Sequence, residues 1–260
     1  RVGFDLLGQA MSGGMHISGL DGEPRRTQIP YVDYGTALYA AFGTMAALME
    51  RDRTGQGQMV EASLFSTSLS FTNGLLVEQA LLDNNRQGVG NRGYAHAPND
   101  VFQTENGWIV TMVVGRPIFE RWAGLMEEPH WLEDERFETD ISRGDHAHLI
   151  SERMARWCAE RTTEAALAQL EAARIPAGPV YQPRQVLADP HVIARNLMQS
   201  FPYPGVETSV PLVDTPVRFS GIKAGIRHRA PTLGEHTREV LAELGYDEAE
   251  IAELREARIV

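Results

Sequence analysis

The run IPYVDYGTALYAAFGTMAALMERDRTGQGQ, residues 29–58, sets one carboxylate, Asp33, directly before a long apolar pattern. From Tyr34 to Asp52 the residues Ala37, Leu38, Ala41, Phe42, Met45, Ala46, Leu48 and Met49 return at intervals of three and four, the spacing of a helix with one face on a core. Gly55 and Gly57 stop it. QMVEASLF, residues 58–65, alternates as a strand with Val60, Ala62 and Leu64 on one face, and Ser66 to Leu82 reads as a second, mostly buried helix. Helix, glycine turn, strand and helix in that order predict an α/β layer in which helices cover a sheet.

Residues 1–30, upstream, are rich in glycine and polar turns and read as loops around a short buried segment. Downstream, NNRQGVGNRGYAHAPND (84–100) is polar and glycine-rich and reads as a crossing between lobes. VFQTENGWIVTMVV (101–114) predicts two strands joined in a tight turn at Asn106-Gly107. Helices are expected at 117–128 and 147–174, the second holding Thr162 and Glu164 as a cap and a first-turn acid and ending before IPAGP. Prolines and short strands (VETSVPLV, TPVRFSG) fill 183–231. Glu235 to Leu244 reads as a helix stopped by Gly245, and Asp247 with Glu250 forms a capping box for the last one.

Composition excludes several classes of function. The net charge of −11 over 260 residues, with Lys and Arg scattered, argues against a surface that tracks nucleic-acid phosphates. Cys158, the single cysteine, has no internal disulfide partner, and a reducing compartment follows. No apolar run reaches the roughly 18 residues needed to cross a bilayer, and no basic-then-apolar leader opens the sequence. The expectation is a soluble, cytoplasmic protein.

Few side chains carry a chemical signal. His146 and His148 flank an alanine without further ligands at metal spacing, so a solvated loop is favoured and no metal is expected. Gly88, Gly90 and Gly93 fit G-x-G-x-x-G, but no strand leads in and no long helix follows, so they read as a mobile loop. Cys158 lies between Trp157 and Ala159 in an apparent helix and reads as packed. Asp33 carries two readings. As a helix cap its carboxylate accepts bonds from unpaired backbone N–H groups; as a nucleophile it uses the same field to steady a developing oxyanion. Spacing alone favours the cap.

DLLGQAMSG (5–13), VDYGTALYAAFGTMAALMERDRTGQGQMVEASL (32–64), GNRGYAHAPNDVFQTENGWI (90–109), IPAGPVYQPRQVLADPHV (175–192) and APTLGEHTREVLAELGYDEAEIAELREARIV (230–260) together resemble the class III CoA-transferases. The resemblance runs from Arg1 to Val260, and its segments around Asp33 and Glu235 are the most specific. It implies that Asp33 is the catalytic aspartate, which moves coenzyme A from an acyl-CoA to a carboxylic acid through an aspartyl-CoA thioester. Coenzyme A and acyl-CoA enter as substrates, with no permanently bound cofactor.

The resemblance further implies CoA contacts at Val2, Gly3, Phe4, Asp5 and Leu64, and a substrate loop at Gly90, Asn91 and Arg92. Arg92 and Arg116 are candidates to meet an acceptor carboxylate. In fold it implies α/β architecture: a partial Rossmann-like large domain (1–88), a small α+β domain (89–185) and a C-terminal return to the large domain (186–260), in an interlocked homodimer. The N-terminal half of the family's large domain has no counterpart in these residues. Two alternatives remain open. An acyl-CoA racemase of the same family uses a histidine at the position of Phe4, and Phe4 does not titrate; a non-catalytic fragment or dimerisation module is the other.

Overall fold

A computed structural model of the chain describes residues 3–260, so Val2 lies outside the described residues. The chain forms two compact units that meet in sequence between Val180 and Tyr181.

The first unit opens with α1 (Asp5–Met11) and α2 (Gly14–Ile17), then α3 (Tyr31–Thr54) and α4 (Leu64–Leu82). Helix α3 is the one the 29–58 run predicts, and it starts earlier than expected, so Asp33 lies inside its first turn; Gly55, left-handed at φ 75°, closes it. Tyr31 and Tyr39 pack on Phe71 of α4, with ring centroids 5.8 and 6.2 Å apart. Gly35 makes the crossing of α3 and α4 close: a Cβ there would stand 2.4 Å from Cζ of Phe71. Only Val32 and Gly35 of α3 are buried, whereas Leu38, Phe42 and Met49 are 72, 77 and 72% exposed.

The strand expected at 58–65 is absent. Residues 56–63 form neither helix nor ladder, no backbone hydrogen bond joins 57–62 to the rest of the described chain, and Met59 is 87% exposed. A strand exists only with a neighbour to pair, and the described residues supply none here. Leu64 therefore opens α4 instead of sitting on a strand, with Ser63 as the cap whose side chain accepts from the N–H of Ser66.

Farther along, β1 (Asn99–Gln103), β2 (Trp108–Met112) and β3 (Ala177–Pro179) form an antiparallel sheet in that order. The hairpin is present, but its turn is not the tight one expected: residues 104–107 form the loop, and neither Asn106 nor Gly107 is left-handed. Asn106 works through its side chain instead. Its Oδ1 accepts from the Thr163 N–H at 2.8 Å, and its amide donates to Glu164 at 3.2 Å, which ties the turn to a helix start.

Helices α5 (Arg116–Leu125), α6 (Asp140–Asp145), α7 (Ala147–Ala159) and α8 (Thr163–Ala172) surround this sheet, with two 3-10 turns between α5 and α6. The single helix expected at 147–174 is two, because Thr162 takes an extended backbone and caps α8 by accepting from the Ala165 N–H. Phe102, Ile109, Phe119, Trp122, Ile150, Met154 and Leu170 meet in one apolar core spanning residues 97–175. Arg143 is buried in it, donating to the Phe137 carbonyl at 2.7 Å and pairing with Asp140, its guanidinium over the Phe119 ring.

The second unit holds α9 (Pro183–Ala188), α10 (Pro190–Ala194), the antiparallel pair β4 (Met198–Phe201) and β5 (Val210–Val213), α11 (Thr237–Glu243) and α12 (Glu248–Glu256). TPVRFSG forms no strand. Asp247 and Glu250 make the expected capping box. The fold is thus mixed α and β with two small antiparallel sheets, and no described helix is long and apolar enough to cross a membrane.

Candidate active site

The first turn of α3 decides how Asp33 is used. Four N–H groups at a helix start lack partners within the helix. Here all four are accounted for without the Asp33 side chain. Tyr31 donates to the Ile29 carbonyl at 2.8 Å and Tyr34 to that of Pro30 at 3.2 Å. Val32 and Asp33 both donate to Oδ2 of Asp5, at 2.8 and 3.2 Å. Pro30 holds the cap position, where it has no side-chain oxygen to offer. The cap is therefore Asp5, buried on α1, and the exposed Asp33 carboxylate accepts no hydrogen bond among the described residues.

Asp5 is itself held. Gln9, one helical turn along and 2% exposed, donates through Nε2 to Asp5 Oδ1, while its Oε1 accepts the Thr27 N–H at 3.1 Å. That second bond fixes which end of the Gln9 amide faces Asp5. Tyr31 stands nearby, its hydroxyl pushed above the usual phenol range first by burial and then by the Asp5 charge. Steric fit completes the junction: a Cβ on Gly8 would lie 2.9 Å from Cγ1 of Val32. Sequence reasoning did not single out Gln9; the signal available was a polar pair, Asp5 and Gln9, at helical spacing on one face.

Gly3, Phe4 and Leu64 come together around one cleft of about 590 Å³, which Leu7, Gly8, Met11, Ser63 and Phe65 also line. Phe4 is 70% exposed at its mouth. Asp5 follows Phe4 directly, so the wall of the cleft and the cap of the Asp33 helix are consecutive residues.

Gly90, Asn91 and Arg92 lie elsewhere in the same unit. Gly90 donates its N–H to the Gly19 carbonyl at 2.8 Å, and Gly88 passes so close that a Cβ would meet the Gly19 carbonyl oxygen at 2.4 Å. Arg92 lines a second cleft of about 350 Å³ with Arg86, Tyr94, Asp145 and His148, and makes no ion pair among the described residues. Arg116 is committed to Glu120 at 3.0 Å and to the Leu132 carbonyl at 2.8 Å. Cys158 is fully buried, and burial pushes its thiol up to about 12. Among the described residues, no three His, Cys, Asp or Glu side chains gather to hold a metal ion.

A carboxylate left uncommitted at a helix start suits covalent exchange at a carbonyl. Residues 1–237 match CoA-transferase family III, and the chain belongs to that family. It is 31% identical to the succinyl-CoA–D-citramalate CoA-transferase of Chloroflexus aurantiacus, over 100% of this chain and 65% of that protein. It is 28% identical to the succinyl-CoA:glutarate CoA-transferase of Homo sapiens, over 100% of this chain and 60% of the relative. Among solved structures, a CAIB/BAIF family protein from Brucella suis superposes with a TM-score of 0.75 at 28% identity, covering 94% of this chain and 63% of that one. The chain thus spans about three fifths of the length of the relatives it matches.

Proposed function

We propose that this chain carries the nucleophile-bearing part of a CoA-transferase, with Asp33 as the group that is acylated and then carries coenzyme A. The observation that carries the reading is the Asp33 carboxylate itself: exposed, in the first turn of α3, and free of hydrogen bonds among the described residues, while Asp5 takes the N–H groups beside it. An Asp33 oxygen attacks the thioester carbonyl of the donor, and the CoA thiolate leaves, giving a mixed anhydride. The thiolate then attacks the aspartyl carbonyl and expels the donor acid, leaving aspartyl-CoA. The acceptor carboxylate attacks that thioester and releases the thiolate, which takes the new acyl carbonyl and frees Asp33. No water or proton enters the balance, so the thioester's free energy is kept through every exchange. Water must stay out of the cleft for the intermediates to survive.

In this reading the cleft of Gly3, Phe4 and Leu64 receives the coenzyme near its thioester end, Val2 and Asp5 being the further contacts that the family resemblance implies, and its volume is that of a small-molecule site. Gly90, Asn91 and Arg92 form the substrate loop, Arg92 offering a fork to a carboxylate. The names of the relatives favour succinyl-CoA as donor and a small dicarboxylic acid as acceptor. Residues 1–88 then belong to a Rossmann-like large domain, 89–185 to a small domain and 186–260 to the return, in a homodimer that works in the cytoplasm. The exposed apolar side chains of α3 and the unpaired run 57–62 support a larger assembly around these residues.

The test is intact-mass analysis of the complete enzyme incubated with succinyl-CoA and related esters. A mass increase mapping to Asp33 is expected, absent in Asp33→Asn, with turnover of that variant lower by at least about a thousandfold. An asparagine variant that exchanges acids at the parental rate rules the nucleophile out.

A further inference from the structure

A carboxylate in the first turn of a helix has a strong local alternative to chemistry. It can fold back on the free N–H groups around it, where the helix field holds it. Glu164 of this chain does so: its carboxyl is held below the usual carboxylate range first by its own backbone N–H and then by Asn106. A carboxylate held this way has lone pairs already committed, and it must break those bonds before attacking a carbonyl.

At α3 the competing donors are occupied. Val32 and Asp33 give their N–H groups to Asp5, a residue 27 positions upstream of Val32 on another helix. This differs from an ordinary cap, which comes from the residue at the helix start; here that place is Pro30. The arrangement is braced as well, because Gln9 can present only its amide N–H to Asp5 while Thr27 occupies its oxygen. Burying a carboxylate is costly unless its oxygens are satisfied, and those of Asp5 receive three donors.

We propose that Asp5 is a positioning residue for Asp33: by accepting the N–H groups of Val32 and Asp33, it keeps the Asp33 carboxylate from closing onto its own helix and leaves it free to attack. The proposal rests on Asp33 being the nucleophile. It gives Asp5 a part in turnover and not in holding coenzyme A through its side chain, whose oxygens are already taken. What matters is the acceptor oxygen facing α3. Asparagine keeps it but turns its amide N–H onto that of Gln9, so asparagine preserves the function when Gln9→Glu supplies an acceptor to both the new amide and the Thr27 N–H, and alanine does not.

The experiment compares Asp5→Ala, an asparagine variant that pairs Asp5→Asn with Gln9→Glu, and Asp33→Asn in the complete enzyme. For Asp5→Ala, kcat is expected to fall by about tenfold or more with the acyl-CoA KM within about threefold, and the paired asparagine variant is expected to recover kcat to within about threefold of the parent. Hydrogen exchange of the peptide spanning residues 29–36 is expected to quicken in the alanine variant and not in the asparagine one. A loss carried by KM, an alanine variant with parental kcat, or an asparagine variant as slow as alanine overturns the proposal. Should the alanine variant not fold, Asp5→Glu, which displaces the oxygens by one methylene, replaces it under the same criteria. The two failures separate cleanly. Parental turnover in Asp33→Asn removes the nucleophile, whereas unchanged exchange over 29–36 in Asp5→Ala removes the Asp5 contact whatever Asp33→Asn does.

Discussion

Asp33 and Glu235 lie in the two most family-specific stretches of the sequence, and the structure treats their carboxylates in opposite ways. Glu235 accepts from both Nη groups of Arg229, at 2.8 and 2.7 Å, and from the N–H and hydroxyl of Thr232, at 2.7 and 3.0 Å. Arg229 first, and Thr232 after it, hold its carboxyl at about 2, below its ordinary 4.5. A folded value below the unfolded one means that the clasp contributes stability above pH 4.5 and loses it as the pH falls toward about 2. Urea unfolding followed across that window is therefore expected to show stability dropping in the parent and a flatter profile in Glu235→Gln; equal slopes would contradict the assignment. For Asp33, spacing favoured the cap, and the structure gives that place to Asp5. Spacing could not do otherwise, since the group that caps α3 comes from a distant turn of sequence and no local pattern announces it.

At the level of elements, the junction of α1, α3 and α4 is set by two glycines, Gly8 against Val32 and Gly35 against Phe71. Gly35 lies two residues past Asp33, so a methyl there must push either the Phe71 ring or the start of α3. Gly35→Ala is expected to destabilise the protein by about 1–3 kcal/mol, as overpacking does, and to lower turnover by moving Asp33 relative to α1. Chemical denaturation reads the first effect, and Phe71→Leu added to Gly35→Ala should return part of it; a single variant as stable as the parent would show that the crossing has slack. The helices α3, α4 and α12 were legible as helices because an apolar period or a capping box is written locally, but α4 is not the mostly buried helix expected: only Thr67, Ser68 and Thr72 are buried, and Leu81 and Leu82 are 76 and 69% exposed. The state of 58–65 was not legible, since alternation says which side chains share a face and nothing about whether a neighbour exists. Helices α9 and α10 went unread because Pro183 and Pro190 look like breakers, although each occupies the first turn, where proline is welcome.

Across the whole molecule, apolar burial is uneven. The 97–175 region closes a dense core of its own, whereas α3 turns Leu38, Phe42 and Met49 outward. Isolated exposed apolar residues are ordinary, but a row of them along one 24-residue helix is the mark of a contact surface. The proposed homodimer predicts that light scattering of the complete protein reports a dimer and that Phe42→Lys shifts it toward monomer. A well-folded monomer at micromolar concentration would speak against it. No local sequence pattern separates a face covered by the same chain from one covered by another, since both read as a helix with apolar positions at intervals of three and four.

The fully buried Cys158 has a practical consequence. Its thiol, pushed up to about 12 inside the 97–175 core, offers almost no thiolate to an alkylating reagent while the core is shut. Being the chain's lone sulfhydryl, it records each opening of that region as one covalent tag, so the pace of iodoacetamide uptake becomes a built-in clock for how often the interior breathes.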